Sequence, residues 1–178
     1  DEYRDMMGKR DVLLVNSDNL SNMSLDQFYE VHHEKNALLT MAVKAFNIND
    51  PRLENFGTVT FDKDKRVTKF EEKTKNPNSR YVNTAICIFS PSIHDHLRSD
   101  EFRRSLDDRR GDDKLDMGGH FIPILVDSGL PVFAYVLEGP WADIGTFDSF
   151  QETTHDILHG EYPNLGPGGY HIGDQSSV

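Results

Sequence analysis

The apolar residues of the chain fall in short blocks that are separated by polar turns. The first block, residues 11–15, is continuous and rich in branched residues, which is typical of a strand buried on both faces. Ser24 then precedes residues 25–35, whose apolar positions have helical spacing, so this stretch predicts a helix capped by Ser24. Residues 37–46 are again apolar and predict a core strand. Strand, helix and strand in this order predict a βαβ unit.

The rest of the chain alternates between strand-like and helix-like patterns. Residues 57–61 and 66–70 have a period of two around a polar turn, which predicts a β-hairpin. Further predicted elements are a strand at 84–89, a helix at 121–126, a strand at 132–137, and a helix at 147–159 that Thr146 caps and Gly160 ends. The whole pattern predicts an α/β fold with a mainly parallel, Rossmann-like sheet flanked by helices.

Composition and charge narrow the classes of function. The 178 residues contain 19 Lys and Arg and 30 Asp and Glu, which is a formal net charge of −11. Because nonspecific duplex binding needs a cationic surface, we expect no nucleic-acid partner. The single cysteine, Cys87, excludes an internal disulfide and a Cys-based zinc site. No apolar run approaches the roughly 20 residues that span a bilayer, and no signal peptide is visible, so we expect a cytoplasmic protein without a membrane partner.

Asp18 is the first candidate for chemistry, because it follows the first predicted strand at its carboxyl end. Open α/β sheets bind ligands in the crevice beyond these strand ends. A carboxylate there can hold Mg²⁺, which prefers one or two carboxylates together with substrate phosphate oxygens. The alternative is that Asp18 only caps a turn, as Asp and Asn commonly do after strands.

Two further segments place charged and aromatic side chains at strand ends. In Phe70-Glu71-Glu72-Lys73, a carboxylate can accept hydrogen bonds from sugar hydroxyls while the neighbouring ammonium offsets phosphate charge. In the segment 139–146, Trp141 and Asp143 stand between a strand and a capped helix, and Asp143 could be a second metal ligand. The alternatives are an exposed strand end of mixed charge for the first segment, and for the second a structural turn in which Asp143 bonds the backbone and Trp141 fills the core.

The order and the surroundings of these features resemble the sugar-1-phosphate nucleotidyltransferases, which include glucose-1-phosphate adenylyl- and thymidylyltransferases and mannose-1-phosphate guanylyltransferases. The similar segments are Val15-Asn16-Ser17-Asp18, Phe56-Gly57-Thr58-Val59 with Phe70-Glu71-Glu72-Lys73 ("YGVV … FEEKP"), residues 82–89 ("VNTGIYVF"), Phe121-Ile122-Pro123 ("IPxLxxxG") and Trp141-Ala142-Asp143-Ile144-Gly145-Thr146 ("WxDIGT"). The likeness runs in register from about residue 11 to residue 155.

This resemblance implies a reaction and a role for each matching residue. An oxygen of a sugar 1-phosphate attacks the α-phosphorus of a nucleoside triphosphate, and pyrophosphate leaves. Asp18, Lys73 and Asp143 would be catalytic, with Asp18 and Asp143 holding Mg²⁺ and Lys73 facing phosphate. The residues implied to bind substrate are Glu72, Asn83, Thr84, Ala85 and Trp141. The resemblance also implies a β-rich sugar-binding lobe inserted in the fold, and we expect a homo-oligomer.

The chain also departs from the family pattern. Ser17 and Ala85 replace glycines, and Thr74 stands where proline is usual. The glycine-rich loop "GGxGTRLxPLT", which cradles the triphosphate, has no counterpart in this sequence. Residues 1–160 are therefore expected to be the latter part of a catalytic domain that is inactive alone, and 161–178 a linker or the start of a module such as a left-handed β-helix. The alternative is a noncatalytic sugar-phosphate-binding or assembly module. The sequence does not indicate which nucleotide base or which sugar is used.

Overall fold

The computed structural model of the chain describes residues 9–110 and 115–163. Its strands are β1 (Val12–Val15), β2 (Asn19–Ser21), β3 (Leu39–Ala45), β4 (Thr58–Phe61), β5 (Val67–Glu71), β6 (Tyr81–Phe89), β7 (Val132–Val136) and β8 (Trp141–Asp143). Its α-helices are α1 (Leu25–Glu34), α2 (Ile93–Arg98), α3 (Asp100–Arg110), α4 (Ile122–Asp127) and α5 (Phe147–Leu158). A 3₁₀ helix, Pro51–Asn55, precedes β4, and a π-helical turn, Met117–Phe121, leads into α4.

Six strands form one central sheet in the order β5-β4-β6-β3-β7, and β1 also pairs with β6. The predicted α/β class is confirmed, because helices cover both faces of this sheet. Pairing is mixed rather than mainly parallel in the described residues: β3 and β7 are parallel, whereas β6 runs antiparallel to β1, β3 and β4, and β4 runs antiparallel to β5. The reason is β6, which inserts between β1 and β3, the two strands of the predicted βαβ unit.

The sheet separates two apolar clusters, because alternate side chains of β3 and β6 point to opposite faces. On one face, Phe28 of α1 covers Ala42, Ile86 and Ile88. On the other face lies the larger cluster, which includes Met41 together with most of α4. The predicted strands and helices are confirmed by their position.

The prediction that residues 11–15 form a strand buried on both faces is wrong, because Leu13 and Val15 of β1 are 45% and 49% exposed. The reason is that β1 pairs only with β6 in the described residues, and one of its faces is left uncovered.

The predicted helix ends are also confirmed. Ser24 Oγ accepts a hydrogen bond from the N–H of Gln27 at 3.3 Å, so Ser24 caps α1. Thr146 and Ser149 form a capping box at the start of α5, and Gly160, with a φ of +84°, follows its end. No helix in the described ranges is long and apolar enough to cross a membrane. Most of the predicted C-terminal linker, residues 164–178, lies outside the described residues.

The two short strands beside the central sheet were not predicted. β2 and β8 pair antiparallel in a separate two-stranded sheet, with Asn19 opposite Asp143 and Ser21 opposite Trp141. Both strands are three residues long, and the sequence alone indicated only polar turns there. Their pairing joins segments far apart in the chain, so no local period could have revealed it.

Candidate functional site

Asp18 and Asp143 lie side by side because β2 pairs with β8. The N–H of Ile144 donates to the backbone carbonyl of Asp18 at 2.8 Å, which ties the two segments together just beyond the short sheet. Both carboxylates also approach Gly145: a Cβ built there would lie 3.0 Å from Asp143 Oδ1 and 3.5 Å from Asp18 Oδ2. Two acidic side chains from opposite ends of the sequence therefore face one point.

A short chain of hydrogen bonds connects this carboxylate pair to Trp141. The indole N–H of Trp141 donates to Asn19 Oδ1 at 2.9 Å, and Asn19 Nδ2 donates to Asp18 Oδ1 at 3.1 Å. The Trp141 ring also contacts the rings of Phe46 and Phe56, with centroids 6.2 and 5.6 Å away. Trp141 is therefore fixed by packing on one side and helps to orient Asp18 on the other.

The pair offers two carboxylate ligands, which are too few to enclose a metal ion completely. No group of three or more His, Cys, Asp or Glu side chains in the described residues is arranged to hold a metal ion. Mg²⁺, however, is usually held by only one or two carboxylates and completes its shell with water and substrate phosphates. The donor set of Asp18 and Asp143 therefore fits Mg²⁺ with a phosphate substrate and does not fit a structural zinc site.

Glu72 and Lys73 follow directly on β5. The Glu72 side chain is only 29% exposed, and its Oε1 lies 3.8 Å from Lys73 Nζ. Burial raises the pKa of Glu72; the Lys73 ammonium opposes this shift, and the Asp116 carboxylate adds to it. Lys73 has a φ of +45°, an uncommon conformation for a residue with a side chain, and its N–H donates to the carbonyl of Phe56 at 3.3 Å.

Two glycines border the Glu72 carboxylate. A Cβ on Gly57 would lie 2.7 Å from Glu72 Oε2, and a Cβ on Gly118 would also collide with this carboxylate. Gly57 belongs to the hairpin motif, but no motif in the sequence indicated that Gly118 lies at this site. A glycine in a turn has many structural explanations, and only the tertiary contact shows that Gly118 lies against Glu72.

The predicted residues of β6 lie at a bulge in the sheet. Met41 pairs with Cys87 but Val43 pairs with Asn83, so β6 carries extra residues opposite Ala42. Ala85 lies within this bulge with a φ of +57°, and its N–H donates to Asn83 Oδ1 at 3.2 Å. The bulge thus gives Asn83 a fixed side-chain orientation at the edge of the site.

Thr84 does not contribute its side chain to the site. It is 1% exposed, and its hydroxyl donates to the carbonyl of Ala42 at 2.8 Å. Alternation along β6 turns this side chain into the sheet packing, and the prediction that Thr84 binds substrate stays a prediction. Its hydrogen bond supports the bulge.

The Phe56-Gly57 segment joins the two halves of the site. Phe56 contacts Trp141 through its ring and Lys73 through its carbonyl, while the carbonyl of Gly57 accepts from the N–H of Asn83 at 2.8 Å. A cleft of about 610 Å³ opens beside Trp141 and Asp143, between the 3₁₀ helix and α5. Residues 56–57 therefore contact Trp141 on one side and both Lys73 and Asn83 on the other.

Comparison with known proteins gives one consistent family. The family Nucleotidyl transferase matches residues 2–160. The glucose-1-phosphate adenylyltransferase of Clostridium botulinum (strain Alaska E43 / Type E3) is 31% identical over 158 residues, which cover 88% of this chain and 39% of that protein. The enzyme of the same name from Clostridium perfringens (strain 13 / Type A) is 32% identical over 148 residues, which cover 83% and 35%. This chain thus spans well under half of these relatives.

A solved structure supports the fold. A Bacillus anthracis chain, provisionally assigned as a glucose-1-phosphate thymidylyltransferase and crystallised with a sucrose, superimposes with a TM-score of 0.65. The alignment covers 85% of this chain and 56% of that one at 20% identity. At this identity the likeness concerns the arrangement of helices and strands.

Proposed function

Because the chain belongs to the sugar-1-phosphate nucleotidyltransferase family, we propose that it carries the sugar-phosphate and metal-binding part of such an enzyme. In the complete protein it would take part in nucleotidyl transfer from a nucleoside triphosphate to a sugar 1-phosphate, releasing pyrophosphate. The observation that carries this proposal is the convergence of Asp18 and Asp143 on one point near Gly145. Asp143 Oδ1 also accepts a hydrogen bond from the N–H of Gly145 at 3.0 Å, which is a turn contact. A turn-capping role of Asp143 does not require Asp18, from a distant segment, to approach the same glycine.

In the proposed mechanism, Asp18 and Asp143 would hold Mg²⁺. The ion, when bound, would neutralise charge on the phosphates in the transition state. Phosphoryl-type transfer needs little covalent work from the protein, so its main contributions are positioning and electrostatics. The Trp141–Asn19–Asp18 hydrogen bonds supply part of this positioning before any substrate binds.

Substrate contacts would divide by charge. Lys73 has an exposed ammonium, which suits the phosphate of the sugar substrate as a compact positive charge. Glu72 is half-buried and suits the hydroxyls, because a carboxylate that is shielded from water makes stronger hydrogen bonds. Asn83 would add a contact to the sugar from the β6 bulge. The names of the relatives make glucose 1-phosphate the first substrate to test.

A second candidate is a noncatalytic sugar-phosphate-binding or assembly module with the same fold. One observation favours it: Ala85, with a φ of +57°, stands where the family pattern has glycine. The two candidates share the sugar-phosphate site and differ in pyrophosphate release. Binding of a sugar phosphate by this chain therefore tests both, and turnover by the complete protein separates them.

The test uses Asp143→Asn, with Asp107→Asn on α3 as a matched control that removes a carboxylate outside the site. We expect glucose 1-phosphate to bind the unmodified chain more tightly with Mg²⁺ than without it, as measured by isothermal titration calorimetry. Asp143→Asn should lose this dependence on Mg²⁺, and in the complete protein it should abolish Mg²⁺-dependent pyrophosphate release. Near-normal release from the Asp143→Asn protein would remove Asp143 from the metal site. Failure of the unmodified chain to bind any sugar 1-phosphate would refute both candidates.

A further inference from the structure

The Glu72 carboxylate occupies the space that a side chain at position 118 would need. A Cβ on Gly118 would lie 2.6 Å from Glu72 Cδ and 3.0 Å from Oε1, and closer still to Oε2. Real Cβ atoms essentially never have neighbours nearer than 3.0 Å. The close approach is therefore available only to glycine as long as Glu72 keeps its position.

The backbone at Gly118 is fixed from both sides. Asp116 caps the π-helical turn: its Oδ1 accepts from the N–H of Gly119 at 2.6 Å, and its carbonyl accepts from the N–H of Phe121 at 3.3 Å. On the other side the turn continues into α4, whose residues 122–126 are all buried in the larger apolar cluster or beside it. Single π-turns within helices often occur at functional sites. Here the turn brings the main chain at Gly118 against the carboxylate of Glu72, which follows β5.

We propose that Gly118 is a positioning residue of the sugar site: by having no side chain, it leaves the Glu72 carboxylate where it can accept hydrogen bonds from sugar hydroxyls. The role of Glu72 in this inference rests on the proposed function, whereas the contact between Gly118 and Glu72 does not. Gly118 itself touches no substrate and acts through Glu72.

We expect Gly118→Ala to move the carboxylate and to leave the fold intact. Glu72 is a flexible, partly exposed side chain, so its end can swing toward solvent to make room for a methyl group. Gly57 is different, because a Cβ there would also meet the buried Phe70 ring at 2.5 Å. The matched control is Gly118→Ala in a Glu72→Ala background, since no carboxylate remains there for the added methyl group to displace.

Two measurements test the inference on the 178-residue chain. The first is the calorimetric affinity for glucose 1-phosphate and for inorganic phosphate. Gly118→Ala should weaken glucose 1-phosphate binding by about tenfold or more, which is the scale of a lost hydrogen bond to a charged group. The affinity for inorganic phosphate should change by less than about twofold. In the Glu72→Ala background, Gly118→Ala should change either affinity by no more than about twofold.

The second measurement follows the Glu72 carboxyl ¹³C resonance during an acid–base titration, with Glu72→Gln to assign it. Gly118→Ala should lower the pKa of Glu72 toward the ordinary value of a glutamate, because the displaced carboxylate is better hydrated. An unchanged Glu72 titration in Gly118→Ala overturns the inference, even if affinity falls, since the effect would then not act through Glu72. If the unmodified chain binds no sugar phosphate, the proposed function fails, and the titration still decides whether Gly118 positions Glu72.

Discussion

Replacing Ala85 by glycine should make the protein more stable. Ala85 has a φ of +57°, where the Cβ of an L-residue is pressed against a carbonyl oxygen. This conformation costs roughly 1–2 kcal/mol for a residue with a Cβ. Glycine relieves the cost but gains freedom in the unfolded chain worth about 0.5–1 kcal/mol. The midpoints of these two ranges leave a gain of about 0.75 kcal/mol for Ala85→Gly, which is about 1.5–3 °C in melting temperature for a chain of this size.

The assay is urea unfolding followed by far-ultraviolet circular dichroism. Ala45→Gly is the matched control, because Ala45 lies in β3 and is not among the described residues with positive φ. It should lose about 0.5–1 kcal/mol, the usual cost of glycine in a strand. Ala85→Val should be destabilising, since a β-branched side chain fits the left-handed region still less well.

The sign of the change in unfolding free energy for Ala85→Gly tests whether the Ala85 backbone is strained. If Ala85→Gly loses as much stability as Ala45→Gly, the bulge does not hold Ala85 in a strained conformation. The bulge would then not orient the Asn83 side chain either, because the hydrogen bond from the Ala85 N–H to Asn83 Oδ1 depends on the same backbone geometry.

Two further predictions concern titratable groups. Burial raises the pKa of Cys87 to about 12. Ellman's reagent should therefore not label Cys87 in the native protein, and in urea it should label Cys87 at the rate of unfolding. Rapid labelling of the native protein would contradict the burial of Cys87 in the core. Burial raises the pKa of Glu72, whereas hydrogen bonds from Lys69 and then Asn78 hold the pKa of Glu71 below its ordinary value. As pH rises through the raised pKa of Glu72, ionisation of this half-buried carboxyl should lower the free energy of unfolding. As pH rises from the lowered pKa of Glu71 to the ordinary pKa of a glutamate, ionised Glu71 should increase the free energy of unfolding. Urea unfolding of Glu72→Gln and Glu71→Gln at about pH 4 and 7 should show opposite pH trends relative to the unmodified chain, and equal trends would refute the assignment.

Local patterns in the sequence determined most of the elements and several site residues. Period and capping residues located α1, α5 and the β4–β5 hairpin, because such signals act within a few residues of one another. The motifs around Asp18, Glu72 and Asp143 also indicated chemistry before any contact was known. Their metal and substrate roles stay predictions.

Only the tertiary structure decided which distant segments meet. The pairing of β2 with β8 brings Asp18 beside Asp143, the insertion of β6 makes the sheet mixed, and the turn before α4 places Gly118 against Glu72. Thr84 shows the same limit, since its place within a motif did not reveal that its hydroxyl binds the Ala42 carbonyl. The physical reason is that periodicity records which face of an element is buried, whereas partner and register depend on packing summed over the whole chain.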